Sequence, residues 1–323
     1  MIYPKISVII PIPPDMDEVV ALNSLARLDY PKNKIEIIIT IGRHRSIQRN
    51  KAIEKVTGEI IYFLDDDTIL REDAFKRILE YYKDKKIVGV GGPSLTKETD
   101  TFIQKCFGYV LGSYFATQRM SAKFRKVGKV RIADERDLIL CNLSFRTSVI
   151  KEFKGFNPNL HSGNEENELM NRITRKGWKL IYDPELFIRR SNRKNVIAFG
   201  KQIAKYGKGR IEHFLYRPSF FEPLFLIPLL FLIYLVSLLF IHNILYFIPL
   251  IIYIVINIIS SLVISFRTKD PKTFFMTTFL FFLVHMSYGV GMLIGLYKYF
   301  LKEKRIISEP IVKKINLSKI KVN

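Results

Sequence analysis

Apolar and polar positions divide the chain into two regions with different rhythms. Up to about residue 190, short β-branched runs alternate with stretches of helical spacing. Residues 6–10, 35–41, 60–64 and 87–90 are mostly Ile, Val and aromatic residues, in runs short enough for strands buried on both faces. Pro11-Ile12-Pro13-Pro14 breaks the chain after the first and Gly91-Gly92-Pro93 after the fourth. Between them, residues 17–28, 46–56 and 72–82 carry helical periodicity, and Gly58 closes the second helix. This βαβαβ order predicts an α/β domain with a doubly wound, mostly parallel sheet and helices on both faces. The pattern continues less regularly. Residues 102–112 read as helix, 138–145 as strand, 167–176 as helix with Gly177 beyond its end, and 178–182 as strand.

The second region is greasier. Residues 196–217 form a basic amphipathic stretch, predicted to lie as a helix on an anionic leaflet or to be an ordinary surface helix. Then 224–241, 244–266 and 273–297 contain no Asp, Glu, Lys or Arg. Each is long enough to cross the ~30 Å hydrocarbon core. The expected division is a domain at 1–215, a membrane region at 218–300 with helices near 220–242, 244–266 and 273–297, and a basic tail at 301–323. His242-Asn243 would turn between the first two helices. The charged linker at 267–272 points to the cytosol. Three crossings put the tail outside, whereas Lys298, Lys302, Lys304 and Arg305 favour the inside. Gly291 and Gly295 offer close helix packing or simple relief of crowding.

Charge narrows the partners. The 323 residues carry 51 Lys and Arg against 30 Asp and Glu, a formal +21. An anionic partner follows, and the apolar runs favour a membrane and a phosphorylated substrate over nucleic acid. Hydrophobic segments free of charge argue against a transporter. Residues 6–13 are too short, and too poor in preceding basic residues, for a signal peptide. The expectation is therefore a multi-pass protein of the cell membrane with a cytosolic catalytic domain. Cys106 and Cys141 show no metal-ligand spacing and read as packing residues of a reducing compartment.

Two acidic clusters carry the candidate chemistry. Asp65-Asp66-Asp67 follow the strand at 60–64, where open α/β sheets bind ligands. They are either a solvated turn or carboxylates facing a divalent cation, which prefers oxygen ligands. Glu165-Glu166-Asn167-Glu168 begin a helix, where carboxylates suit the helix dipole or serve as a general base. The basic loop at 121–131, with Lys123, Arg125, Lys126, Lys129 and Arg131, is a solvated face or a contact for phosphate or membrane. Of the five His, only His161 lies near the Glu cluster.

Taken in order, these residues resemble family 2 glycosyltransferases of the GT-A fold. The likeness covers about residues 5–215. It rests on Ile6-Ser7-Val8-Ile9-Ile10-Pro11, Gln48-Arg49-Asn50, Phe63-Leu64-Asp65-Asp66-Asp67, Asn142-Leu143-Ser144-Phe145-Arg146, Gly155-Phe156, Glu165-Glu166-Asn167-Glu168-Leu169, Tyr182-Asp183-Pro184 and Gln202 with Tyr206-Gly207-Lys208-Gly209. The resemblance implies a nucleotide-diphosphate sugar as donor and inverting transfer, hexosyl in type, to a hydroxyl or phosphate of a lipid-linked or glycan acceptor. It implies Mg2+ or Mn2+ on Asp67 and Asp65. Pro11, Asn50, Asp65, Asp66, Asn142 and Arg146 would face the donor, and Glu166 with Glu165 would act as base. An exopolysaccharide or glycolipid product, or an inactive binding scaffold of the same fold, are the alternatives. Three positions depart from the family. The second strand ends Ile39-Thr40-Ile41-Gly42 without the acid that contacts the base. Arg189-Arg190 stand where a metal-binding His is usual, so Arg190 is a candidate diphosphate contact. Glu166 replaces Asp.

Overall fold

Runs of Ile and Val build the middle of the protein. The computed structural model describes residues 3–16, 18–160, 163–216, 223–241, 243–301, 309–315 and 317. Its strands are β1 (Ile6–Ile12), β2 (Ile35–Ile41), β3 (Ile60–Leu64), β4 (Ile69–Leu70), β5 (Ile87–Gly91), β6 (Ser94–Thr96), β7 (Arg131–Ala133), β8 (Asn142–Arg146), β9 (Lys179–Tyr182), β10 (Ile188–Arg190) and β11 (Ile311–Ile315). Its α-helices are α1 (Ala21–Ala26), α2 (Arg45–Lys55), α3 (Ala74–Tyr81), α4 (Phe102–Leu111), α5 (Tyr114–Thr117), α6 (Thr147–Glu152), α7 (Glu165–Arg175), α8 (Val196–Tyr216), α9 (Ile227–Ser237), α10 (Ile248–Thr268) and α11 (Pro271–Phe300).

Eight strands form one sheet in the order β11-β2-β1-β3-β8-β5-β9-β7. β1, β2, β3, β5 and β9 run in one direction, and β7, β8 and β11 run against them. Every residue of β1 and β3 is buried. The two-residue period sends Val8, Ile10, Tyr62 and Leu64 into one apolar layer and Ile9, Ile61 and Phe63 into the other. Helices cover both faces, so the α/β architecture expected from the alternating pattern is the one observed. A second sheet, β4-β10-β6, stands beside the carboxyl end of β3. Its strands are two or three residues long, too short to show a period in the sequence.

β8 decides where its two ends go. It lies antiparallel to β3, pairing Asn142 with Leu64 and Arg146 with Ile60. Asn142 is thus at the Asp65 end of the sheet and Arg146 at the opposite end.

The C-terminal helices differ from the expected three spans. Two helical stretches, Ile244–Thr268 with 25 residues and Pro271–Phe300 with 30, are long and apolar enough to cross a membrane. Counted the same way, the first stretch, Pro223–Ser237 with α9 inside it, has 15 residues among the described ones, short of the ~20 a crossing requires. The sequence overstated it because lack of charge does not fix helix length. α11 lies against the catalytic domain over much of its length. Leu280, Phe281 and Val284 pack with Cys106, Phe107 and Val110 of α4 and Phe199 of α8. Farther along, Gly291 and Gly207 let α11 and α8 touch backbone to backbone. The apolar side of α8 is therefore covered by α4 and α11 rather than free for a leaflet. A Cβ on Gly291 would stand 2.0 Å from the Ala204 carbonyl oxygen, and one on Gly207 2.1 Å from that of Tyr288. Gly291→Val should separate the helices and cost about 1–3 kcal/mol or more. The check is a lower thermal midpoint in detergent, with Gly295→Ala, whose nearest contact is 3.1 Å, as the mild comparison.

The sequence left the side of the tail open. β11 pairs antiparallel with β2, Ile311 opposite Ile41 and Ile315 opposite Ile37. The tail thus returns to the sheet of the catalytic domain, on its side. Lys302, Lys304, Arg305, His161 and His242 lie outside the described residues.

Candidate active site

The carboxylates after β3 sit among guanidinium groups. Asp65 is buried; Arg190 Nη1 lies 2.9 Å from its Oδ2, and Arg45 and Arg49 of α2 each approach to 3.9 Å. Burial alone would raise the Asp65 pKa, but Arg190, then Arg45 and Arg49, hold it at about 2. Arg190 reaches this point because β10 pairs with β4, just beyond the Asp turn. Its Nε is 3.1 Å from Asp67 Oδ1 and donates to Oδ2 at 3.3 Å.

The second acidic cluster faces the same space. α7 begins at Glu165, two residues earlier than its periodicity predicts. Asn164 precedes it in the left-handed conformation, with φ 67°. Glu165 and Glu166 therefore occupy the first turn. Arg49 Nη1 donates to Glu165 Oε1 at 2.6 Å, so one guanidinium stands between Asp65 and Glu165. Glu166 is left facing Lys123. Burial, then the neighbouring Glu165 charge, raises the Glu166 pKa, with Lys123 opposing. Burial also lowers the Lys123 pKa, against the attraction of Glu166.

Asp65, Arg45, Arg190, Glu165, Glu166 and Lys123 all line one cavity of about 1420 Å3. Lys205 of α8 joins them, its pKa lowered first by burial and then by Arg45. The cavity continues past Arg210 to the apolar sides of α9 and α10, where Phe225, Phe231, Tyr253 and Ile256 line it.

Several sequence candidates stand elsewhere. Asn142 is buried, accepting from Tyr62 Oη at 2.6 Å and donating to the Leu186 carbonyl at 2.6 Å. It is fixed in the wall beside Asp65. Arg146 does not join the group: its guanidinium donates to the carbonyls of Ile87 and Tyr82 at the far end of β8. Asn50 clamps Phe156 by two hydrogen bonds, to its carbonyl at 2.7 Å and from its N–H at 2.8 Å. It thereby holds the turn before α7. Pro11 is buried in β1 opposite Thr40. The Asp66 carbonyl accepts from Ala21 N–H at 2.9 Å, while burial and then Asp67 raise its side-chain pKa. Asp183 is held by Arg77 and Tyr81. Cys106 and Cys141 are buried, as packing residues are. Arg49, Arg45, Lys205 and Arg210 are the site residues that the sequence reading left without a role. Their only signals were Gln48-Arg49-Asn50, the Arg43-His44-Arg45 run and the basic stretch of α8.

Whether a divalent ion suits the Asp pair can be judged from their geometry. Asp65 and Asp67 already converge on one cationic group, and buried Asp67 Oδ1 accepts no hydrogen bond. The pair fits a hard cation standing in place of the Arg190 guanidinium. Among the described residues, no group of three or more His, Cys, Asp or Glu gathers there.

The fold is shared with a solved structure. The mannosyltransferase PcManGT from Pyrobaculum calidifontis, solved with GDP-Man and Mn2+, superposes with a TM-score of 0.55 at 13% identity, covering 91% of this chain and 88% of that one. S. aureus TarS 1–349, solved with UDP, matches with a TM-score of 0.43 at 12% identity over 94% and 95% of the two chains. No curated protein sequence matches the chain. Residues 2–206 match the family described as Glycosyltransferase like family 2. With that match spanning most of the chain, and with a GT-A-type sheet that ends in the Asp65 cluster, the protein belongs to glycosyltransferase family 2.

Proposed function

We propose that the protein moves a sugar, hexose in class, from a nucleotide-diphosphate donor to an acceptor carried on a lipid, with inversion. The observation that carries this reading is the single cavity joining the Asp65 group, Glu166 and the apolar sides of α9 and α10. A donor diphosphate fits the Asp65 end, where Arg45, Arg190 and Lys205 supply positive charge to the leaving group. A divalent ion held by Asp67 and Asp65 would add further charge stabilisation there. The acceptor oxygen attacks the anomeric carbon, the bond to the diphosphate breaks, and Glu166 takes the acceptor proton. Arg49 holds Glu165 and leaves Glu166 to face the acceptor, a positioning role. Asn50 and Asn142 act at one remove, Asn50 by holding the turn before α7 and Asn142 by fixing the end of β8 beside β3.

Membrane attachment accords with the outward faces of α9 and α10. Leu230, Ile233, Ile251, Ile252, Ile258 and Ile259 are exposed there, an apolar surface far larger than isolated surface residues make. The returning tail accords with two crossings, which bring the chain back to the side of the catalytic domain.

The test is a thermal-shift panel of UDP- and GDP-sugars, with and without Mn2+, on full-length protein in detergent. One nucleotide sugar should raise the midpoint, and nucleoside diphosphate should be released when a lipid acceptor is added. An inactive scaffold would respond to none of the panel.

A further inference from the structure

Arg190 occupies the place that a divalent ion would take. Its Nη1 lies 2.9 Å from Asp65 Oδ2 and its Nε 3.1 Å from Asp67 Oδ1, so one guanidinium bridges both carboxylates. Asp65 is buried, and the Arg190 side chain is only 22% exposed. Among the described residues, no third His, Cys, Asp or Glu stands with the pair. Two carboxylates are a sparse set for a hard divalent ion, which commonly completes such a site with phosphate oxygens of the substrate. Ion and guanidinium therefore compete for the same few oxygens.

In the empty cavity the guanidinium wins. Leaving Asp65 and Asp67 would strip Arg190 of its anions, and a poorly solvated charge without a partner is costly. Arg45, Arg193 and Lys205 line the cavity where it would go, and all are cationic. Besides Asp65, the carboxylates lining that cavity are already engaged: Glu165 accepts from Arg49 at 2.6 Å, and Glu166 faces Lys123. A diphosphate changes the balance. Its oxygens accept two N–H groups of one guanidinium side by side, and the cationic wall attracts it. Arg190 lines the cavity, so its side chain can turn from carboxylate to phosphate while β10 stays paired with β6, Arg190 opposite Thr96.

We propose that Arg190 gates entry of the divalent ion: it closes the Asp65–Asp67 pair in the free protein and opens it when a donor diphosphate takes over its guanidinium. Metal and donor then bind as a linked pair, each raising the affinity for the other by the same factor. Direct contact between metal and phosphate couples them in any case, and the gate adds to that coupling. Arg190 is thus a positioning residue with two alternative partners. The identity of the diphosphate rests on the glycosyl-transfer reading above; the closing of the Asp pair by Arg190 does not.

Mn2+ binding to full-length protein in neutral detergent, followed by electron paramagnetic resonance, tests the gate without any turnover. The titrations use Mn2+ alone and Mn2+ with UDP or GDP, corrected for the metal–nucleotide complex measured without protein. Without nucleotide, Arg190→Gln should bind Mn2+ about tenfold or more tightly than the wild type, and the factor by which nucleotide tightens Mn2+ binding should shrink to match. Arg45→Gln removes a cation 3.9 Å from Asp65 that bridges no carboxylate pair, and should tighten Mn2+ much less. Equal Mn2+ affinity in wild type and Arg190→Gln, an unchanged nucleotide factor, or tightening as large in Arg45→Gln overturns the gate. The thermal midpoint of Arg190→Gln should fall, and Mn2+ should restore it by more than it raises the wild type; a midpoint that Mn2+ leaves low overturns the shared site. If Arg190→Gln does not fold, Arg190→Lys decides. A single ammonium lacks the fork that spans both carboxylates, so this variant too should bind Mn2+ alone more tightly than the wild type, and equal affinity overturns the gate. Nucleotide binding is read separately. A wild type that holds neither UDP nor GDP, with or without Mn2+, sinks the proposed function; nucleotide binding with equal Mn2+ affinity in wild type and Arg190→Gln sinks only the gate.

Discussion

Glu166→Gln is expected to reduce glycosyl transfer by about 10²–10⁴-fold, the usual contribution of a positioned base. Nucleotide-sugar binding should persist, since Glu166 faces Lys123 rather than the Asp65 group. The same change should stabilise the fold at neutral pH. Burial and Glu165 raise the Glu166 pKa above the ordinary carboxylate range. A group with a raised folded pKa favours the native state while protonated, and that contribution is lost as pH rises through its folded value. At pH 7 to 8 the wild type therefore carries a charge its surroundings resist, which Gln removes. Two measurements decide the matter. Transfer should rise with pH along a limb above the usual Glu range and vanish in the variant. Its thermal midpoint should exceed that of the wild type, more at pH 8 than at pH 5. Transfer at wild-type rates in Glu166→Gln would sink the assignment of the base.

Asp65→Ala should have the largest effect on stability. It leaves Arg190, Arg45 and Arg49 facing one another without the carboxylate they share. Breaking a buried ion pair by removing one partner costs about 3–5 kcal/mol, a fall of roughly 10 °C in the thermal midpoint. Donor binding should be lost with it. Asp65 has a lowered folded pKa, so the sign is opposite to that of Glu166. Its contribution is complete above the unfolded pKa of about 3.9 and fades as pH falls toward the folded value. The gap between wild type and variant should accordingly be full at pH 6 and shrink as pH falls below about 4. A gap independent of pH would mean that the Asp65 charge does not hold the arginines.

Much of the sheet was legible because burial on both faces leaves a simple signature. The strands at 35–41 and 60–64 fall where the β-branched runs place them, and the Asp turn follows β3 as expected. What escaped was set by distance along the chain. Arg49 and Glu165 are 116 positions apart, and a single Arg in a helix reads like any surface charge until the partner is known. The three short strands that deliver Arg190 have no period to detect. Arg146 misled because its motif gives a sequence neighbourhood, while the antiparallel course of β8 sends its two ends to opposite edges. β11 was invisible for a similar reason: nothing in five residues near the end announces that they pair with a strand some 270 positions earlier.

That last pairing bears on how the protein is best produced. β2 reads Ile-Glu-Ile-Ile-Ile-Thr-Ile, and without β11 one side of it would present unpaired backbone groups. A flat, β-branched edge of this kind is a template for strand addition between molecules. Shortening the chain at α8 to obtain a soluble catalytic fragment would discard the apolar helices and, with them, the strand that shields this edge. The fragment would trade a surface suited to lipid for one suited to self-assembly into aggregates.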